Sequence, residues 1–173
     1  MGKRSDFERE ALDFYPTPMS AVLPLLPYLP PATRFCEPCA GAGDLIRHLE
    51  AHGHSCASAY DVEPQSNNIE RHDASFLVQD DLKGAEIIIT NPPWDRAPLH
   101  QIIERCSRLT KTWLLFDADW CHTKQAQPYM KYCAKIVSVG RVKWKEGSSM
   151  AGKDNCCWYL FVGQPTLTVF HTR

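Results

Sequence analysis

No run of about 18 apolar residues occurs anywhere in the chain, so no segment reads as a membrane-spanning helix. Residues 1–10 are charged and lack the apolar stretch of a secretory leader, so a cytoplasmic location is expected. There is no low-complexity tract, internal repeat or linker, and 44% hydrophobic with 23% charged residues describes one ordinary globular domain over residues 1–173. A G-x-G-x-x-G run for a diphosphate is missing, because His48 follows Gly41 and Gly43. A second C-x-x-C is missing as well. Cys36-x-x-Cys39 therefore lacks the partner pair of a structural zinc site, and the adjacent Cys156 and Cys157 would point to opposite faces of a strand. No metal is expected, and the eight cysteines are read as free thiols. Cys121 and His122, neighbours in sequence, do not face one another and make a poor nucleophile pair.

Strong net charge is also absent, but the value of −1 hides an asymmetry. Residues 1–100 carry 8 Lys/Arg against 15 Asp/Glu, and residues 101–173 carry 11 against 5. A polyanionic partner would therefore meet the second half.

What is present is an alternation of strands and helices. Six prolines between Pro16 and Pro31 leave room for one short helix near residues 19–26. Strands are predicted at 33–37, 55–60, 69–73, 86–90, 112–117, 136–142 and 156–162, with helices near 45–49, 99–109 and 125–133. This order predicts an α/β fold with a Rossmann-like open, mainly parallel sheet of about seven strands, with ligands at the carboxyl ends of the strands. The polar loop between 144 and 156 predicts a terminal antiparallel hairpin.

Three constellations fall at predicted strand ends. The first is Glu37-Pro38-Cys39-Ala40-Gly41-Ala42-Gly43-Asp44, where glycines permit close backbone approach to a ligand. Its flanking carboxylates, Glu37 and Asp44, would repel a diphosphate and attract a ligand bearing a sulfonium and an ammonium. The second is Asp61, about 20 residues downstream, placed to accept both hydroxyls of an adenosine ribose. Asp73, or else Asp80 or Asp81, would contact an adenine, and spacing does not choose between them.

The third is Asn91-Pro92-Pro93-Trp94. The two prolines stiffen the turn and remove two N–H donors, so it offers the Asn91 amide oxygen and the Pro92 carbonyl to an amine that donates two hydrogens. Trp94 adds a flat face for a base, worth about 1–3 kcal/mol where such stacking has been probed. Displacement at nitrogen then needs alignment more than a strong base.

Taken in order, Phe14-Tyr15-Pro16-Thr17-Pro18, EPCAGAGD, Asp61 and NPPW resemble the class I amino-methyltransferases that act on adenine in DNA, especially the small phage and prophage enzymes. The resemblance spans roughly residues 13–163. It implies S-adenosylmethionine as cofactor, held by Glu37, Cys39, Gly41, Gly43, Asp44, Asp61 and Asp73, and a seven-stranded sheet ending in an antiparallel hairpin. It also implies that residues 1–31, through Tyr15, Thr17 and Pro18, close over the cofactor. Catalysis would fall to Asn91, Pro92, Pro93 and Trp94, and N6 of adenine would be the acceptor. Larger members carry a separate target-recognition region for which no residues remain here. Substrate contact is therefore expected from the polar loop at 145–155, through Arg141, Lys143, Lys145 and Lys153. An RNA base amine, a protein glutamine amide, or a silent cofactor-binding module are the alternative readings.

Overall fold

The computed structural model describes residues 15–144 and 154–172. Lys145, Lys153 and most of the predicted polar loop lie outside the described residues, as does Phe14. The strands are β1 (Arg34–Glu37), β2 (Ser55–Asp61), β3 (Glu70–Arg71), β4 (Ile87–Thr90), β5 (Lys111–Asp117), β6 (Cys133–Arg141), β7 (Asn155–Phe161) and β8 (Val169–His171). The helices are α1 (Met19–Val22), α2 (Asp44–Glu50), α3 (Arg96–Leu109) and α4 (Gln127–Met130).

The eight strands form one sheet in the order β3-β2-β1-β4-β5-β7-β6-β8. β1 to β5 pair in parallel, and β7 inserts antiparallel between β5 and β6. This is the expected α/β sheet with its antiparallel hairpin. β8, which pairs in parallel with β6 at the edge, has no counterpart among the predicted strands and brings the sheet to eight strands among the described residues, against the expected seven.

Burial on both faces explains the continuous apolar runs of the central strands. In β4, Ile87 and Ile89 join the cluster under α1 and α2, while Ile88 joins the cluster under α3. In β5, Trp113 and Leu115 take the first face and Leu114 and Phe116 the second. The 3.6-residue period of α3 brings Leu99, Ile102, Ile103 and Cys106 onto this second layer. Each fully buried Leu or Ile contributes about 1.5–3 kcal/mol.

Several predicted boundaries shift. The single helix predicted near 19–26 stops as α1 at Val22, because Pro24 cannot supply the N–H of another turn, and a 3₁₀ turn follows at Leu26–Tyr28. α1 is nevertheless anchored, since the buried Trp158 indole on β7 donates to the Ala21 carbonyl at 2.7 Å. The helix predicted at 125–133 shrinks to α4 preceded by a 3₁₀ turn, with Cys133 already in β6. The strand predicted at 69–73 is only Glu70–Arg71. Among the described residues no helix is long and apolar enough to cross a membrane.

Candidate active site

The carboxyl ends of β1, β2 and β4 meet at one edge of the sheet, and the three constellations come together there. After β1 the chain turns through Gly41 (φ 55°) and Gly43 (φ 82°) into α2. At Gly43 space is not the constraint, since an added Cβ would meet nothing closer than 3.7 Å. The left-handed backbone is, and it favours glycine. Ala40 N–H donates to the Tyr60 carbonyl at 2.8 Å, and Gln65 N–H to the Gly41 carbonyl at 2.9 Å, so the turn is stitched to the end of β2.

Asp61 completes that stitching. One carboxylate oxygen accepts from Gly41 N–H at 2.7 Å and the other from Glu63 N–H at 2.8 Å. A carboxylate offers about four lone-pair sites, so two remain for further donors. The expected Asp61 is thus at the strand end, and it also holds the glycine turn in shape.

Glu37 is 2% exposed at the end of β1. Burial, with Asp61 and then Asp44 nearby, holds its carboxyl well above the usual carboxylate range, opposed by an Ile46 backbone hydrogen bond. Its Oε2 has no partner among the described residues. A carboxyl whose pKa is raised by folding stabilises most below its ordinary value of 4.5 and loses that contribution as pH rises through the folded value. Glu37→Gln is therefore expected to melt higher than wild type at pH 7–8, by about 2–4 °C per kcal/mol relieved, with the difference shrinking toward pH 4. Thermal melts across that range check it, and a variant equal to or below wild type at pH 8 contradicts it.

Asp73 and Asp81, left open by spacing, cap two different 3₁₀ turns. Asp73 follows β3 and accepts from Ser75 N–H at 2.8 Å, capping a 3₁₀ turn at Ala74–Phe76. Asp81 caps the turn Gln79–Leu82, accepting from Val78 N–H at 2.7 Å, with His72 Nε2 at 3.3 Å from the same carboxylate. That turn leads back toward the start of β4, where Glu86 N–H donates to the Arg34 carbonyl at the opposite end of β1. Asp73 thus follows the carboxyl end of β3, and the Asp81 carboxylate lies against His72, the residue before it. Two apolar side chains not singled out from sequence accompany the acids: Val62 is 45% exposed directly after Asp61, and Phe76 71% exposed just after Asp73.

The Asn91-Pro92-Pro93-Trp94 turn leaves β4 beside β1. Pro92 is buried, and Asn91, Pro93 and Trp94 are half-buried. Asn91 Nδ2 donates to Thr17 Oγ1 at 3.2 Å and lies 3.5 Å from the Tyr15 carbonyl oxygen. Trp94 Nε1 donates to Asn91 Oδ1 at 3.4 Å. The segment Tyr15-Pro16-Thr17-Pro18 therefore packs against the proline turn itself. Trp144, another residue not picked out from sequence, stands edge-on to Trp94 (centroids 5.7 Å, 84°) and tilted to Tyr15 (6.3 Å, 55°). The available signal was an indole at a strand end among Lys143 and Lys145.

Cys39, half-buried in the glycine turn, is held well above the ordinary thiol range, chiefly by burial. Burial similarly raises Cys36 to about 11 and Cys56 to about 12. Such thiols are poor nucleophiles. No group of three or more His, Cys, Asp or Glu suited to a metal occurs among the described residues, and the eight thiols are unpaired.

β6 runs parallel to β5, since both oppose β7, so exposed Arg141 and Lys143 lie on the same edge as Asn91. Along that edge Asp61 ends β2, Asp117 ends β5, and Arg141 and Lys143 stand at the end of β6, with the proline turn after β4.

No protein-family model matches the chain, and no curated protein does either. Solved structures do. A protein from Pyrococcus horikoshii assigned as an RNA methyltransferase superposes with a TM-score of 0.61 at 11% identity, covering 95% of this chain and 93% of that one. A type I restriction-modification system methyltransferase subunit from Streptococcus thermophilus gives 0.59 at 7% identity over 91% of this chain. The chain spans about half of that subunit, 47% of its length. A TehB-like SAM-dependent methyltransferase from Corynebacterium glutamicum gives 0.54 at 12% identity, covering 83% of this chain and 86% of the other. At these identities the likeness establishes the fold, which is that of class I methyltransferases.

Proposed function

We propose that the protein is an S-adenosylmethionine-dependent N-methyltransferase whose acceptor is the N6 amine of adenine in DNA. The observation that carries this reading is the orientation of Asn91, in a rigid proline turn beside a carboxylate-lined glycine turn, with its amide oxygen on the side of an aromatic face. The solved structures of the same fold, which include one assigned as an RNA methyltransferase and a restriction-modification methyltransferase subunit, support a nucleic-acid substrate. The choice of adenine in DNA rests on the order of the Tyr15-Pro16-Thr17-Pro18, EPCAGAGD and NPPW segments.

The residues present fit the cofactor. Glu37 keeps a buried carboxyl oxygen without a partner and Asp61 adds negative potential, whereas Asp44 is ion-paired with Arg47; the Glu37–Asp61 side favours a cation and disfavours a diphosphate. Asp61 retains capacity for two ribose hydroxyls. Val62 and Phe76 offer apolar contact, and Asp73 an acceptor, for a purine; Gly41, Gly43 and Cys39 form the floor. When bound, S-adenosylmethionine supplies a methyl carbon on a positively charged sulfur, which an amine nitrogen can displace in line to leave a neutral thioether.

The chain's own residues then act on the amine. A target base turned out of its stack would lie on Trp94, with Trp144 and Tyr15 enclosing the ring cluster. Asn91 Oδ1 and the Pro92 carbonyl accept the two amine hydrogens, which draws the nitrogen lone pair out of conjugation with the ring and toward the methyl carbon. The nitrogen becomes strongly acidic as the bond forms, and its surplus proton leaves to water. Arg141 and Lys143, with Lys145 and Lys153 of the adjoining segment, would neutralise backbone phosphates.

The test of substrate class is a salt titration of DNA and RNA binding. Binding should weaken with a log–log slope that loses about 0.9 per duplex phosphate contact removed, so Arg141→Ala with Lys143→Ala should flatten it by roughly 1–2. Cofactor affinity should not move. A wild-type protein with no affinity for DNA or RNA at low salt would remove the nucleic-acid assignment.

A further inference from the structure

The Asn91 amide lies between partners of opposite hydrogen-bonding character. On its nitrogen side are Thr17 Oγ1 at 3.2 Å and the Tyr15 carbonyl oxygen at 3.5 Å; on its oxygen side is the Trp94 indole nitrogen at 3.4 Å. A backbone carbonyl can only accept and an indole N–H can only donate. Exchanging the two ends of the amide would therefore set oxygen against oxygen at Tyr15 and N–H against N–H at Trp94. Both mismatches fall in a half-buried place, where an unmade hydrogen bond is costly. Thr17, itself 5% exposed and 74 residues from Asn91 in sequence, makes the shortest of the three contacts.

We propose that Thr17 is a positioning residue: with the Tyr15 carbonyl and the Trp94 indole it fixes which way the Asn91 amide faces, so that Oδ1 and not Nδ2 is turned toward an incoming amine. This rests on the function proposed above and deepens it. A reversed amide would present N–H groups to an amine that itself has only hydrogens to give in the plane of its base. Oδ1 has two lone pairs. The Trp94 indole takes one, polarising the carbonyl, and the second remains for substrate. Residues 15–18 thus act on the acceptor side of the reaction, a role separate from closing over a cofactor. The choice of tryptophan at position 94 also acquires a reason beyond its flat face, because phenylalanine would stack a base equally well yet could not donate to Oδ1.

The experiment measures methyl transfer from S-adenosylmethionine to an adenine-containing oligonucleotide for wild type, Thr17→Val, Thr17→Ser and Trp94→Phe, together with calorimetric affinity for the cofactor and thermal melts. Thr17→Val should lower kcat about three- to tenfold, one hydrogen bond's worth, with oligonucleotide KM and cofactor Kd within about twofold of wild type. Thr17→Ser should recover most of the loss. Trp94→Phe should lower kcat by a similar factor while keeping KM. Unchanged kcat at saturating cofactor with weakened cofactor binding in Thr17→Val would overturn the proposal and return Thr17 to the cofactor site, leaving the methyltransferase reading intact. Should Thr17→Val fail to fold, Trp94→Phe decides, and wild-type kcat there also overturns the proposal. A wild type that methylates no nucleic acid overturns the underlying reading, and the positioning role with it.

Discussion

Asn91→Ala should abolish methyl transfer almost completely, by about 10²–10³-fold in kcat, the scale seen when one preorganised polar group facing a reacting centre is removed. In the proposed mechanism its amide oxygen accepts from the amine, and neither Pro92 nor Pro93 has an N–H or side-chain oxygen to substitute for it. Cofactor affinity should stay within a few-fold, because the Asn91 amide bonds to Tyr15, Thr17 and Trp94 and to none of the carboxylate cluster. Single-turnover transfer and calorimetry on the same preparation check both halves. Wild-type turnover in the variant would remove the mechanism.

Asp61→Ala should act on the opposite partner, weakening S-adenosylmethionine by roughly 10- to 150-fold, or about 1.5–3 kcal/mol for hydrogen bonds to a charged group. Two losses combine in it. The carboxylate's free lone pairs no longer meet the ribose, and the Gly41 and Glu63 N–H groups it now receives are left without acceptor. Asp61→Asn should lose less, since its remaining oxygen can still hold the glycine turn. Equal affinity in wild type and Asp61→Ala would place the cofactor elsewhere on the sheet edge.

The central sheet was legible because its strands are buried on both faces. Three consecutive isoleucines at Ile87, Ile88 and Ile89 leave little alternative to a strand, and the glycine and proline turns mark where strands stop. The eighth strand was not legible, because Val169 and Phe170 are 50% and 60% exposed and their pairing is set by the edge of β6, not by a buried pattern of their own. The short α1 is a matter of backbone chemistry at Pro24, which an apolar period overlooks. Among the candidate site residues, Glu37, Asp61 and Asn91 are attached directly to strand ends, so their position along the sheet edge follows from the strand pattern itself. Residues whose position depends on contacts across the chain were missed or ambiguous. Trp144 meets Trp94 only through the path of β6, and the separate 3₁₀ turns that Asp73 and Asp81 cap are not visible in their spacing. The Thr17–Asn91 bond spans 74 residues and has no local signature at all.

Incubation with methyl-labelled S-adenosylmethionine and unmethylated duplex DNA, single-stranded DNA, RNA and protein, followed by digestion and mass spectrometry of the labelled product, tests the account most directly. Label should appear in DNA as N6-methyladenine, be lost in Asn91→Ala, and persist at reduced rate in Thr17→Val. Label confined to protein, or found on a base carbon or ring nitrogen, would contradict an Asn91 oxygen that works by accepting hydrogens from an exocyclic amine of a nucleic-acid base.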